Sequence, residues 1–596
     1  MCGIAGIMTA DGTSPDAATL RRLGDALVHR GPDGQGRHVA GDVGLVQTRL
    51  AIIDLETGDQ PIYGPSNEAV RAALVANAEI YNYIELRAGM PDVTFATGSD
   101  CEPALHLYLS LGVNFADRLR GMYAIAIHDQ AEGRLVLARD PFGIKPLYYV
   151  ELSGALAFAS EPQALLGAGL AKREMRPESR EQLLQLQFTT GRETVFEGIR
   201  RVLPGETLVV KGGRIVERRR LGALPNGGPR LETAAEALRG LDEVLRDSVE
   251  IHQRSDVPYG MFLSGGVDSS AVLAQMARLN ERPVRTFTAG FTGTAAHDER
   301  QHARVVAAAA GADHQEVDFG EEDFWGLLPA IARAMDDPVA DYAVLPSYKL
   351  AAAAKEAGLK VILTGEGGDE MFGGYGRYRK AMRLRLLGGG PMRARGAFEG
   401  LGILREPEGG AGKAWRAAIG AAEIAEAGNG RSALQAAQAV DCVDWLPNDL
   451  LTKLDRCLMA HGVEGRVPFL DREIANFALR LPDRLKVRRS LGKFLLREWL
   501  RSGLPASKPF SRKRGFTVPV GEWMARRHGD LGRLVAAQPG IDEICRPGAV
   551  EGLFAARGKK QEKAAWHLLF LALWHKCHIL GGAPAGNVFE TLAARP

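Results

Sequence analysis

The stretch Phe262-Leu263-Ser264-Gly265-Gly266-Val267-Asp268-Ser269-Ser270 constrains this chain more than any other. The run Val257 to Leu263 has strand length, and Val272, Leu273, Met276 and Ala277 share one face at helical spacing, so a strand ends and a helix begins at the glycines. The first N–H groups of such a helix lack intrahelical partners and carry the positive end of its dipole, which suits phosphate oxygens. Gly265 and Gly266 let the backbone come close, and Ser264, Ser269 and Ser270 add hydroxyls. This is not a Walker A loop, because the G-x-x-x-x-G-K-[ST] spacing is absent. Asp268 repels phosphate unless a cation lies between them, and magnesium would resolve that conflict. The plain alternative is a glycine turn with Asp268 as a favourable N-terminal charge.

A second loop has the same placement. Lys360-Val361-Ile362-Leu363 reads as a strand running into Thr364-Gly365-Glu366-Gly367-Gly368-Asp369-Glu370. Crowding Glu366, Asp369 and Glu370 at a strand end is costly without cations nearby. Arg285 to Ala289 is strand-like and His302 to Ala310 helical, and this βαβ rhythm implies a parallel sheet with ligands at the carboxyl ends of its strands.

The chain starts Met1-Cys2-Gly3-Ile4-Ala5-Gly6-Ile7-Met8. Removing Met1 leaves a thiol and an α-amine on one residue. An α-amine titrates at about 7.7–8.0 and a thiol near ~8.5, so the amine can take the thiol proton at neutral pH. Ile4 to Met8 is apolar at both alternations, as in a strand buried on both faces. A thiol acting on free glutamine needs a cation for the α-carboxylate, an anion for the ammonium and donors for the oxyanion. Arg49, Asp100 and Asn77 are candidates in that order, each with an ordinary structural reading when taken alone.

Together with His29-Arg30-Gly31-Pro32-Asp33-Gly34 these residues resemble the glutaminase domain of N-terminal-nucleophile amidotransferases. The resemblance implies Cys2 as nucleophile, Asn77 with the Ala78 N–H as oxyanion hole, and glutamine held along Arg49, Leu50, Ala51, Ile52 and Ile53 and at Asn77, Ala78, Glu79 and Asp100. The family string is Asn-Gly-Glu-Ile-Tyr-Asn, so Ala78 departs from it; a positive φ there would cost about 1 kcal/mol. The Ser264 to Ser270 string is similar to the pyrophosphate loop of adenylating PP-loop synthetases, and the acidic loop makes the resemblance specific to asparagine synthetase-type enzymes. It implies ATP at Leu263, Ser264, Gly265, Gly266, Asp268, Ser269, Ser270, Ala289, Thr364 and Gly365, and magnesium on Asp268 and Asp369. It also implies Glu366 as the acid that handles the ammonia proton and Lys493 as the lysine that neutralises the reacting phosphorus.

The implied fold is an α+β glutaminase sandwich of αββα, N-terminal-nucleophile type, followed by an α/β parallel-sheet PP-loop synthetase domain. Strand patterns at Met122 to His128, Arg134 to Arg139, Leu147 to Val150 and Ala155 to Ala159 fit the first. The Pro225 to Pro229 linker, before a helix starting near Leu231, sets the domains at 1–224 and 230–596. Arg379 to Ala439 reads as loops and surface helices, and the last part, from Ser511-Arg512-Lys513-Arg514-Gly515-Phe516 on, as a helical finish with an amphipathic segment at Trp566 to His578.

At 596 residues and 46% hydrophobic, the chain can bury two large cores. A net charge of +2 with dispersed Lys and Arg argues against a nucleic-acid partner, and no apolar run suggests a membrane span. Six cysteines without a C-x-x-C pair fit the cytoplasm. The expected activity is glutamine-dependent amidation of aspartate through an acyl-adenylate, with ATP, glutamine and aspartate as small-molecule partners. An apolar passage for ammonia follows, and a homodimer is compatible. The competing readings are the same mechanism on another carboxylate (a peptide, sugar acid or specialised metabolite), an amide- or lactam-closing ligase without glutamine, and a non-catalytic ligand-binding paralogue.

Overall fold

The first strand, β1 (Gly3–Thr9), runs through the middle of a sheet and is buried from Gly3 to Met8, as its unbroken apolar sequence requires. The computed structural model describes residues 2–65, 70–294, 298–383, 396–406, 410–489, 491–511 and 518–595. The glycine-rich clusters at 388–391 and 408–409 and the stretch 512–516 lie outside the described residues.

Around β1 stand β2 (Gly34–Ala40), β3 (Val43–Arg49), β8 (Tyr148–Leu152), β9 (Ala155–Ala159) and β10 (Ile199–Arg201), in the antiparallel order β10-β8-β9-β1-β3-β2. A second antiparallel sheet has β4 (Ile62–Pro65), β5 (Val70–Ile80), β6 (Gly121–Asp129), β7 (Arg134–Arg139), β11 (Glu206–Lys211) and β12 (Arg214–Arg220), in the order β12-β11-β7-β6-β5-β4. Ile4, Met8, Leu45, Val75, Ala124 and Leu137 close the space between the sheets. Helix α1 (Ala17–Asp25) covers the first sheet with Leu20 and Leu23, and α2 (Glu102–Leu111) covers the second with Leu105 and Tyr108. The result is the expected helix-sheet-sheet-helix stack.

Beyond the linker, α3 (Ala234–His252) starts three residues later than its apolar pattern suggests, because Thr233 and Glu236 form a reciprocal capping box. The sheet that follows is parallel throughout, with β13 (Tyr259–Phe262), β14 (Arg285–Phe291), β15 (Asp313–Phe319), β16 (Val361–Leu363) and β17 (Glu464–Arg466) in the order β15-β14-β13-β16-β17. The strand order reverses between β13 and β16. That crevice is where open α/β sheets bind ligands, and the two glycine-rich loops leave these two strands.

Two expectations are corrected. The C-terminal segment belongs to helix α6 (Lys559–His578), which is not amphipathic: from Ala564 to Trp574 every residue is buried. A helix apolar on all sides belongs inside, and Trp566 Nε1 and Trp574 Nε1 donate to the Ala340 and Met335 carbonyls at 2.8 and 2.7 Å. Within Arg379 to Ala439, the helix that starts at Ala433 is likewise interior. Its Gln438 Nε2 donates to the Glu370 carbonyl and, at 2.9 Å, to that of Met371, bracing the acidic loop from behind.

Candidate active sites and the interface between them

Cys2 sits at the head of β1, 8% exposed. Its backbone N–H donates to Asn77 Oδ1 at 3.1 Å, and Arg30 Nε donates to its carbonyl at 3.3 Å. With Oδ1 taken, the Asn77 amide is oriented, and its buried Nδ2 has no partner among the described residues. Burial pushes the Cys2 thiol up. Such a thiol needs a base at hand, which an α-amine on the same residue would supply.

Asp100 Oδ2 accepts the Ile80 N–H at 2.7 Å, and burial raises its carboxyl to about 6. Arg49 is braced by Asp59 at 2.8 Å and by the Asp54 carbonyl. The 49–53 segment is docked by backbone: Ala51 N–H donates to Asp33 at 2.8 Å, and the Ile52 carbonyl accepts from Asp256 N–H at 3.0 Å. Ala78 is not among the residues with positive φ; it continues β5 opposite Tyr123, and its methyl joins Ala76, Ile80 and Tyr108 in an apolar cluster. The strain foreseen for a side chain there does not arise. Glu79 is buried and points to Arg466 at 2.8 Å, so its side chain is committed across the seam.

On the other side, Gly265 takes φ +72°, turning β13 into helix α4 (Val267–Leu279). Ser264 Oγ accepts the Gly266 N–H at 3.2 Å and lies 3.1 Å from Ser269 Oγ. Thr288, which carried no sequence signal, donates to the Leu263 carbonyl and shapes the turn. A cavity of about 360 Å³ opens there, walled by Leu263, Ser264, Ala289, Thr364, Gly365 and Glu366. A neighbouring cavity of about 610 Å³ shares Ser264, Gly266, Asp268 and Asp369 with it and takes in Gly265 and Lys493. Ser270 is fully buried and lines neither.

Lys493 is 4% exposed and reaches Asp369 Oδ1 at 2.7 Å and Asp268 Oδ2. Burial favours its neutral form, but the two carboxylates hold it above the ordinary lysine value. Gly374 makes the approach feasible: a Cβ there would stand 1.8 Å from Asp369 Oδ1. Two carboxylates that reach one ammonium can flank one small cation, and hard oxygens with room for phosphate are what magnesium takes. Asp268 and Asp369 therefore fit such an ion, although no set of three His, Cys, Asp or Glu is gathered for a metal among the described residues. Glu370, beside Asp369, is raised to about 7 by burial and then by that neighbour, and Tyr375 OH donates to it at 2.8 Å.

Compared with known proteins, residues 240–576 match the family described as asparagine synthase. The chain belongs to the asparagine synthase family. Residues 1–220 match the glutamine amidotransferase domain. Among similar proteins, asparagine synthetase [glutamine-hydrolyzing] 1 of Bacillus subtilis is 32% identical over 97% of this chain and 97% of its own length. A putative asparagine synthetase [glutamine-hydrolyzing] of Mycobacterium tuberculosis is 32% identical over 96% and 97%, and asparagine synthetase B [glutamine-hydrolyzing] of Escherichia coli 29% over 91% and 86%.

In this asparagine synthase family chain the two centres are joined by buried charge. Arg30 pairs with Glu161 at 2.6 Å and Asp455 at 2.8 Å, Arg456 with Asp336 at 2.6 Å, and Arg201 with Asp337 at 2.7 Å. Arg466 takes Glu464 at 2.6 Å as well as Glu79. Asp54 N–H donates to Asp256 at 2.7 Å, and Lys360 Nζ bonds Asp33 at 2.8 Å and the Ala51 carbonyl at 3.3 Å. The last three fasten residues 51–54 and Asp33 just ahead of β13 and β16. Among the described residues, no helix is long and apolar enough to cross a membrane.

Proposed function

We propose that this chain is a glutamine-hydrolysing asparagine synthetase, with a glutaminase unit at 1–224 and a synthetase unit at 230–596. What supports this most is one molecule in which Cys2 is held against Asn77 on one side of a buried seam, and Asp268 and Asp369 converge on Lys493 on the other.

In the glutaminase unit the Cys2 sulfur attacks the glutamine amide carbon, and the Cys2 amine takes the thiol proton and hands it to the departing ammonia. Asn77 Nδ2 and the Ala78 N–H receive the oxyanion, Arg49 and Asp100 hold the two ends of the amino acid, and water then cleaves the thioester. In the synthetase unit the Ser264–Ser270 turn holds the ATP phosphates. An oxygen of the aspartate β-carboxylate attacks the α-phosphorus, and pyrophosphate leaves. Lys493 neutralises charge on the reacting phosphorus. Magnesium, held by Asp268 and Asp369, would neutralise the pyrophosphate. Ammonia then attacks the acyl carbon, Glu366 takes its proton, and AMP leaves. A cytoplasmic setting and a homodimer are further parts of this reading.

The test follows pyrophosphate and amide together with ATP, magnesium and aspartate, supplied with glutamine or ammonium, for wild type and Cys2→Ala. The reading expects asparagine from wild type, and from Cys2→Ala loss of glutamine-driven but not ammonium-driven turnover. No pyrophosphate with aspartate and either nitrogen source sinks it.

A further inference from the structure

The cavity beside the phosphate turn has an unusual wall for an enzyme whose acceptor is an anion. Asp268, Glu299, Glu366, Asp369 and Glu370 all line it, and among the described residues lining it the only base is Lys453. Lys493 lies in the adjoining cavity, already committed to Asp268 and Asp369. A carboxylate entering an acid-lined, partly dehydrated space without a cationic partner is strongly disfavoured. Among the described residues lining this cavity, Lys453 is the one cation that a second, non-reacting carboxylate of the acceptor can meet.

Lys453 is built for such a task. It lies in the first turn of helix α5 (Thr452–Met459), is 6% exposed, and donates to Asp341 at 2.6 Å. That bond fixes the direction of the side chain and uses one of three ammonium donors, leaving two for a ligand. Burial alone would favour the neutral amine, but Asp341, Asp449 and Glu366 hold it charged. Glu366 faces the same cavity. Just after it on the same helix, Asp455 pairs with Arg30 across the seam and Arg456 with Asp336, so Lys453 stands on a rigid support.

Resting on the synthetase reading above, we propose that Lys453 binds the acceptor's non-reacting carboxylate and so selects an acidic amino acid over acceptors with a single carboxylate. The acid-lined wall suits the acceptor's ammonium, which a sugar acid lacks. Asp341 is a positioning residue that acts through Lys453.

The experiment compares wild type and Lys453→Met in ammonium-driven pyrophosphate release, with aspartate and with β-alanine, which is aspartate without its α-carboxylate. Loss of a charge-assisted hydrogen bond raises the aspartate KM about 10- to 100-fold in the variant. The wild-type preference for aspartate over β-alanine shrinks by the same factor, while the ATP KM and the glutaminase rate of the same sample stay near wild type. Lys453→Gln keeps a hydrogen-bonding stem and gives the same comparison if Lys453→Met does not fold. An unchanged aspartate KM in a variant with intact glutaminase activity overturns the inference, as does wild type using β-alanine as well as aspartate. Failure of the underlying reading looks different: wild type itself then releases no pyrophosphate with aspartate.

Discussion

Around Cys2 the contacts are mostly dipoles already in place: an asparagine amide and backbone N–H groups on strands, and an arginine from the turn after α1 on a carbonyl. Around Asp268 the contacts are whole charges, two carboxylates drawn together by one buried ammonium, with further acids facing the same space. The first arrangement is complete once the sheets are packed. The second holds repulsion that substrates and cations relieve, so its geometry depends on what binds. One site is positioned by the fold and the other is finished by its ligands.

Four substitutions or titrations test that contrast. Lys493→Met leaves Asp268 and Asp369 facing each other and should cut pyrophosphate release about 10³-fold, with glutaminase activity retained. An equal loss in both halves would mean that the two sites are not separable. Asn77→Ala removes one oxyanion donor and should lower glutaminase kcat about 10²-fold with ammonium-driven synthesis intact. Asp100 gives a pH signature. Its carboxyl, raised by burial to about 6, binds an ammonium only when ionised. The glutamine KM should therefore climb about tenfold between pH 7 and 5, with no such limb in the ammonium-driven reaction. A flat KM across that range would remove Asp100 from the clamp. The smallest effect belongs to Ala78→Gly: glutaminase kcat within about twofold of wild type and a loss of about 0.5–1 kcal/mol in urea unfolding, since a relaxed strand residue gains only freedom. A large gain in rate would show that the alanine does obstruct the oxyanion hole.

The turn at Gly265, the acidic loop after β16 and the apolar first strand were legible because each is a local pattern: period, glycine placement, charge density. The strands expected at 134–139 and 155–159 match residue for residue, since short antiparallel strands between turns carry their own punctuation. What could not be read were the pairings across the seam. Arg30 and Asp455 lie 425 residues apart, and nothing local tells such an arginine from a surface one. Lys493 illustrates the same limit: resemblance supplies its role, while its left-handed backbone at φ +57° and its burial are encoded by no periodicity. Thr288, Lys453 and Gln438 have no sequence signature because a single polar side chain means nothing until its distant partner is known. The C-terminal helix was misjudged because its His and Lys residues mimic a polar face, although His567 and His578 spend themselves on buried carbonyls.

The fastening of residues 51–54 to Asp256 and Lys360 has a consequence for how such a molecule can change over generations. The attachment lies ahead of β13 and β16, whereas the two glycine-rich loops proposed to hold the substrates leave the far ends of those strands, about 13 Å on for the four residues of β13. Substitutions that remodel the far ends need not touch the near ones. A lineage built on this plan can exchange one acceptor for another while inheriting its source of nitrogen unaltered.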